Sequence, residues 1–210
     1  MEFSLKYYKT GITITAIILL AGLFDLFFQK CLSPLLAEFL SNYNGILRAP
    51  SNATLIGLVL WFHNQCGWKY PVLNKLVTIP NMNGRYEGKI NYEFDGKKEE
   101  KDCAIEIVQN ATNIKINSYF SNAQGELTTS ESLVEDIKKK DGFYFVYFFY
   151  LNSGSKIDGS LDCHEGANVL KFLRSDEGIK LVGHYFTNRK IQTRGVIEVV
   201  FKTKYRKGEF

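Results

Sequence analysis

From Gly84 onward the chain alternates apolar and polar residues with period two, and it does so in eight successive runs. In the first, Tyr86, Gly88, Ile90, Tyr92 and Phe94 stand on one side and Arg85, Glu87, Lys89, Asn91 and Glu93 on the other, the pattern of an antiparallel strand with one buried face. Further runs fall at about 102–109, 113–121, 126–137, 142–152, 164–174, 178–189 and 193–204. Turn residues separate several of them: Asp95-Gly96, Gln124-Gly125, Asp141-Gly142, Ser153-Gly154 and Asp176-Glu177-Gly178. Eight strands with no helical pattern between them predict an all-β fold, an eight-stranded up-and-down antiparallel β-barrel. Closure removes the sheet edges and leaves an interior sized for one small ligand. A β-sandwich is the alternative.

The residues before this pattern have a different chemistry. Up to residue 78 there are six Lys/Arg against three Asp/Glu, and residues 79–210 carry the other twenty against nineteen. The overall charge of +4 is therefore the sum of a charge-poor section, 1–78, and a nearly neutral domain, 79–210, of ordinary domain size. Residues 11–28 read GITITAIILLAGLFDLFF, with Asp25 the single charge, enough to cross a hydrocarbon core of about 30 Å. Lys6 and Lys9 before the run also fit a signal peptide, but no small-x-small cleavage site precedes Phe24 and apolar character resumes at Leu32. A first transmembrane helix is expected over about 11–31.

The apolar block Ala53–Phe62 reaches spanning length only with its neighbours, giving a second expected transmembrane helix over about 46–68, anchored by Trp61, Trp68 and Tyr70. Lys6, Lys9, Lys69 and Lys75 outnumber Lys30 and Arg48 between the spans, which predicts a multi-pass topology with both ends, and so the barrel, in the cytoplasm. Asp25 either pairs inside the membrane or lies near the headgroups.

Several function classes are excluded. The longest run of like charge is Lys138–Lys140 and there are four Pro, which does not fit a disordered regulator. Nor is there a basic stripe of the kind a DNA- or RNA-binding surface needs. Cys31, Cys66, Cys103 and Cys163 form no CxxC, and the His63/Cys66 and Cys163/His164 neighbours supply no four-ligand metal site. The cysteines read as free thiols, and the sequons at Asn52 and Asn110 as chance matches. No nucleophile–base pair, phosphate-cradling glycine loop or paired-carboxylate motif is present, so no enzyme, cofactor or metal is expected.

Inward parity can be read strand by strand. It points Tyr86 and Ile90 inward from the first strand, and Ile114, Ile116, Ser118 and Phe120 from the third. The fifth ends inward on Phe148, Tyr150 and Asn152; the sixth offers His164, Gly166, Leu170 and Phe172; the seventh Leu181, Gly183, Tyr185, Thr187 and Arg189. In an up-and-down barrel the ends of odd strands and the starts of even strands share one rim. Ser118, Tyr150, Asn152, His164, Thr187 and Arg189 gather there, with Tyr185 beneath, while the Tyr86 end is apolar. An inward Arg needs a partner. Arg189 either packs over an aromatic ring to plug the barrel, or meets a carboxylate or an anionic ligand, which few inward acidic residues would contest. A guanidinium suits phosphate or carboxylate, and tyrosines offer stacking faces and hydroxyls. The seven rim residues are the expected ligand-binding set, and a lipocalin-like lipid binder or sensor is the competing reading.

The chain also resembles a known family, the membrane effectors of bacterial CBASS anti-phage defence that carry two transmembrane helices before a minimal β-barrel. The similar pieces are Arg48-Ala49-Pro50 with Gly57-Leu58-Val59-Leu60-Trp61, then Ile79-Pro80-Asn81-Met82-Asn83-Gly84-Arg85-Tyr86-Glu87-Gly88. Ile107-Val108-Gln109, Tyr150-Leu151-Asn152, His164-Glu165-Gly166 and the run Leu181–Arg189 with Gly195 follow in the same order. Tyr86 and Asn110 depart from the residues expected there, Trp and Thr or Ser. The resemblance implies a barrel that binds a cyclic dinucleotide made by a partner CD-NTase. It further implies homo-oligomerisation and disruption of the inner membrane, leading to abortive infection.

Overall fold

A computed structural model describes residues 5–32, 34, 44–94, 96–121, 127–154, 163–176, 178–189 and 191–210. The turns expected at Asp95, at Gln124-Gly125 and at Glu177 lie outside the described residues. The chain divides into two compact units, Met1–Thr78 with Asn110–Thr112, and Ile79–Gln109 with Asn113–Phe210.

In the first unit, helix α1 (Thr10–Phe27) runs on through a wider turn, Phe28–Leu32. Thr10–Cys31 is the one helix among the described residues long and apolar enough to cross a membrane; its 22 residues extend about 33 Å at 1.5 Å each. Asp25 accepts a hydrogen bond from Gln29 Nε2 at 2.8 Å, one turn on along the same helix face. Helix α2 (Asn44–Gln65) stands where the second span was expected. It is as long as the first but not as apolar, because its opening turns carry Asn44, Arg48, Pro50, Ser51 and Asn52. One membrane-competent helix is therefore found where the sequence led us to expect two.

His63, buried near the end of α2, is a structural histidine. Nε2 donates to the Leu73 carbonyl at 3.0 Å and Nδ1 shares a 2.8 Å hydrogen bond with Tyr8 Oη, so both ring nitrogens are engaged. Tyr8, Trp68, Val77 and Ala111 form the small core of this unit. The Asn110 sequon also has a local purpose: its Oδ1 accepts from both N and Oγ1 of Thr112, a side-chain turn of the kind Asn favours.

The second unit is a closed antiparallel barrel in the order β1 to β8, which settles the choice against a sandwich. The strands are β1 (Gly84–Phe94), β2 (Lys97–Gln109), β3 (Ile114–Ser121), β4 (Leu127–Lys140), β5 (Phe143–Asn152), β6 (His164–Ser175), β7 (Gly178–Thr187) and β8 (Arg194–Thr203). Asp141 (φ 51°) and Gly142 (φ 82°) both have positive φ, the tight two-residue turn that matches strand twist. All eight strands fall on the expected runs, with two informative shifts. β2 begins at Lys97 rather than about 102, because KKEEK has charge on both faces and no period-two signal. β7 ends at Thr187, so Arg189 is carried by the connection to β8 and not by an inward strand position.

Inside, the expected parity appears in the burial. Tyr86, Ile105, Ile107, Ile116, Leu170, Leu181 and Val199 are sealed from solvent and fill one end. The segment before β1 joins that packing: Met82 is fully buried, its carbonyl accepts from Tyr86 Oη, and its N–H donates to Gln109 Oε1. In β4 the register shifts between Ser132 and Val134. This bulge changes the inward set from Ser130 and Ser132 to Ile137 and leaves Leu133 and Val134 both exposed.

Candidate ligand-binding site

The other end of the barrel is open and polar. A cavity of about 380 Å³ lies there, and all seven residues of the expected set line it: Ser118, Tyr150, Asn152, His164, Tyr185, Thr187 and Arg189. The volume falls within the range of small-molecule sites. Each lining strand contributes from the half nearest this mouth, as up-and-down connectivity requires.

Two tyrosines owe their seats to glycines on the neighbouring strand. Tyr150 pairs with Gly166 and Tyr185 with Gly195. A Cβ at Gly166 would fall 2.3 Å from Tyr150 Oη, and one at Gly195 2.7 Å from the Tyr185 ring. Each ring lies flat across a strand because nothing projects beneath it. Burial raises both hydroxyls, that of Tyr185 to about 12. The phenols are therefore neutral donors at physiological pH and add no negative charge to the cavity.

At the mouth, Arg189 Nη2 donates to His164 Nδ1 at 3.0 Å. An arginine only donates, so this Nδ1 carries no proton. The loop holding Arg189 is pinned where Asn188 N–H donates to the Glu165 carbonyl at 2.8 Å, and Thr187 with Thr193 closes its base through paired hydroxyls 2.9 Å apart. Among the described residues no carboxylate forms an ion pair with Arg189 and no aromatic ring lies under it, and its buried Nε has no hydrogen-bond acceptor. Asn152 is differently employed. Its Nδ2 donates to Ser130 Oγ and its Oδ1 accepts from Gly154 N–H, so the amide fixes the β4–β5 end of the wall.

A scan of family models matches residues 77–200 to the Cap15 cyclic dinucleotide receptor domain, well over half of the chain and the barrel from before β1 into β8. The chain belongs to this family. It thus carries the cyclic dinucleotide receptor domain of CBASS effectors, as the resemblance in the sequence implied. A search of the curated proteins found no match.

The cavity also holds residues that sequence reasoning had not picked out. Glu99 and Lys101 enter from the early part of β2, with Tyr92, Thr128, Ser130, Asn168 and Thr193 around them. Tyr92 Oη donates to Glu99 Oε2 at 2.5 Å, and Lys101 Nζ stands 5.3 Å from the Tyr92 ring centre. Glu99 is thus engaged by the tyrosine instead of neutralising Arg189. Asn168 was within reach, since it shares parity with His164, Gly166 and Leu170. Glu99 and Lys101 had no such signal, because the solvated start of β2 alternates charge with charge.

Proposed function

We propose that the chain is a nucleotide-gated membrane effector. The mouth of its barrel binds a cyclic dinucleotide supplied by a partner CD-NTase. Binding gathers copies of the chain, and the assembled helices breach the bacterial inner membrane and end the infected cell. In this reading residues 1–78 are a membrane region in which α1 is the spanning helix, 79–210 is the cytoplasmic barrel, and no catalytic step is involved.

The observation that carries the reading is a cation with no carboxylate partner among the described residues, at the mouth of a cavity lined by neutral tyrosines. Arg189, hydrogen-bonded to His164, meets a phosphodiester, with Lys101 a second cation lining the same cavity. Tyr150 and Tyr185 stack on bases, and Ser118 and Thr187 offer hydroxyls to the sugar–phosphate ring. The apolar end sets the depth to which the ligand enters. Asn152 contributes by fixing the wall, its amide being already occupied.

Calorimetric titration of the full chain in detergent with a panel of cyclic dinucleotides tests this. A charge-assisted contact is worth roughly 1.5–3 kcal/mol, so Arg189→Ala is expected to weaken binding by about tenfold to a hundredfold. Arg189→Lys, which keeps the charge but loses the planar fork, should fall between. If no member of the panel binds while neutral lipids do, and Arg189→Ala leaves the lipids unaffected, the barrel is a lipid binder and the receptor reading fails.

A further inference from the structure

The outside of the barrel over β4 to β7 has an arrangement that a soluble domain seldom leaves bare. In strand register, Val134, Phe149, Ala167 and Phe186 form one row across four strands, and three of the four are exposed. The next row is Asp136, Tyr147, Val169 and His184, with Asp136 paired to Lys138 at 3.5 Å. The β4 bulge adds Leu133, 53 % exposed, next to Val134 at 66 %. The rows that bound this strip are charged and opposite in sign. On one side Glu131, Leu151 and Glu165 align; on the other Lys138, Phe145 and Lys171 align.

We propose that this strip is the surface through which two copies of the chain pair, face to face and antiparallel. A two-fold axis lying in the interface across the strands, level with Asn168, turns each acidic row onto the basic row of the second copy. Glu165 then meets Lys171 of the other chain, and Lys171 meets its Glu165. Leu151 falls opposite Phe145, and Phe149 opposite Tyr147. The strip is self-complementary under this operation, as an isologous contact must be. Sliding the copies into parallel alignment instead sets Glu165 on Glu165 and Lys171 on Lys171, which like-charge repulsion forbids.

From Glu165 to Lys171 the strip is about 20 Å long at 3.3 Å per residue, a patch for a weak contact. Chains tethered to one bilayer would meet at high effective concentration, where a weak contact suffices. The pairing rests on the assembly step of the proposed function, and it assigns to that step a surface on the outer faces of β5 and β6, whose inner faces line the nucleotide cavity.

Charge reversal on the full chain in detergent tests it by sedimentation. Each reversal acts twice in a two-fold contact, so Glu165→Lys alone and Lys171→Glu alone are each expected to weaken self-association by about tenfold or more. Mixing the two single variants should restore it, since every 165–171 contact in the mixed pair again joins opposite charges. The double variant should self-associate like the parent. Single variants that associate as the parent does, a mixture that stays apart, or a parent that remains monomeric at high concentration with and without nucleotide would each overturn the pairing. Nucleotide affinity, titrated at concentrations where parent and variants are all monomeric, should be unchanged, while at higher concentrations the parent should bind more tightly than the single variants because assembly and binding are linked. If nothing binds the cavity the receptor reading fails by itself, and the swap series run without nucleotide still decides the pairing.

Discussion

Gly166 shows how much of a binding cavity can depend on an absent side chain. Its position lies under the Tyr150 hydroxyl and close to the Phe186 carbonyl, which a Cβ would approach to 2.5 Å. Gly166→Ala must therefore move both a ring and a backbone oxygen. Overpacking of this kind costs roughly 1–3 kcal/mol, and the displaced ring leaves the position from which it can stack on a base. The expected outcome is a modest drop in the unfolding midpoint with a larger loss of nucleotide binding than Tyr150→Phe causes, since the latter keeps the ring in place. Thermal unfolding and titration of the two variants side by side would check this. Tyr150, His164 and Thr187 could be placed in one cavity from parity and strand direction, because the barrel's connectivity fixes which strand ends meet. That Asn152 is occupied on both sides could not, since it depends on Ser130 and on the turn to Gly154, and neither partner has a sequence signature.

At the scale of elements, the chain's last residues strap the outer face of β1 to β3. Arg85 and Glu106 point outward, yet their side chains are only 2 % exposed. They pair at 2.9 Å beneath this segment, where Lys207 and Gly208 donate their N–H groups to Glu106 and Arg85 donates to the Glu209 carbonyl. Burial works to raise the Glu106 carboxyl, but the Lys207 N–H, Arg85 and the Gly208 N–H together hold it below the ordinary carboxylate range. A lowered native value means that the carboxylate's stabilisation is complete above the unfolded value near 4.3 and is lost as pH falls through the native one. Glu106→Gln should flatten that acid limb in a series of unfolding curves. Glu106→Ala takes one of two carboxylates from a buried guanidinium that keeps Glu87, and should cost about 1.5–3 kcal/mol at neutral pH, the worth of a charge-assisted hydrogen bond. None of this was legible beforehand: alternation marks residues 85 and 106 as solvent-facing, and only the return of the chain end buries them. The β4 bulge was hidden for a related reason, because one extra residue in a polar strand leaves no trace in period-two hydropathy.

For the whole molecule, the charge counts set a charge-poor front apart from a nearly neutral remainder, and α1 follows from its long apolar run, broken only by Asp25. The second helix was legible as a helix but not as a span, since its first turns mix polar residues with a ten-residue apolar block. The proposed mechanism separates the two parts experimentally. Expression of the chain with its nucleotide should kill the host cell, and replacing residues 1–70 with a soluble carrier should abolish killing while leaving nucleotide binding within a few-fold. Killing by the carrier fusion would contradict a membrane mechanism.

The packed end of the barrel has a kinetic consequence for the open one. With Met82, Tyr86, Ile107 and Leu181 all buried there, the described residues leave no opening at that end, and a guest leaves by the mouth it entered. Anything that settles across the mouth after a guest arrives, whether the Arg189 loop or a neighbouring molecule, would lengthen its stay without adding a contact to it. A transient pulse of ligand could then outlast its source, giving the barrel a memory set by how slowly its single door reopens.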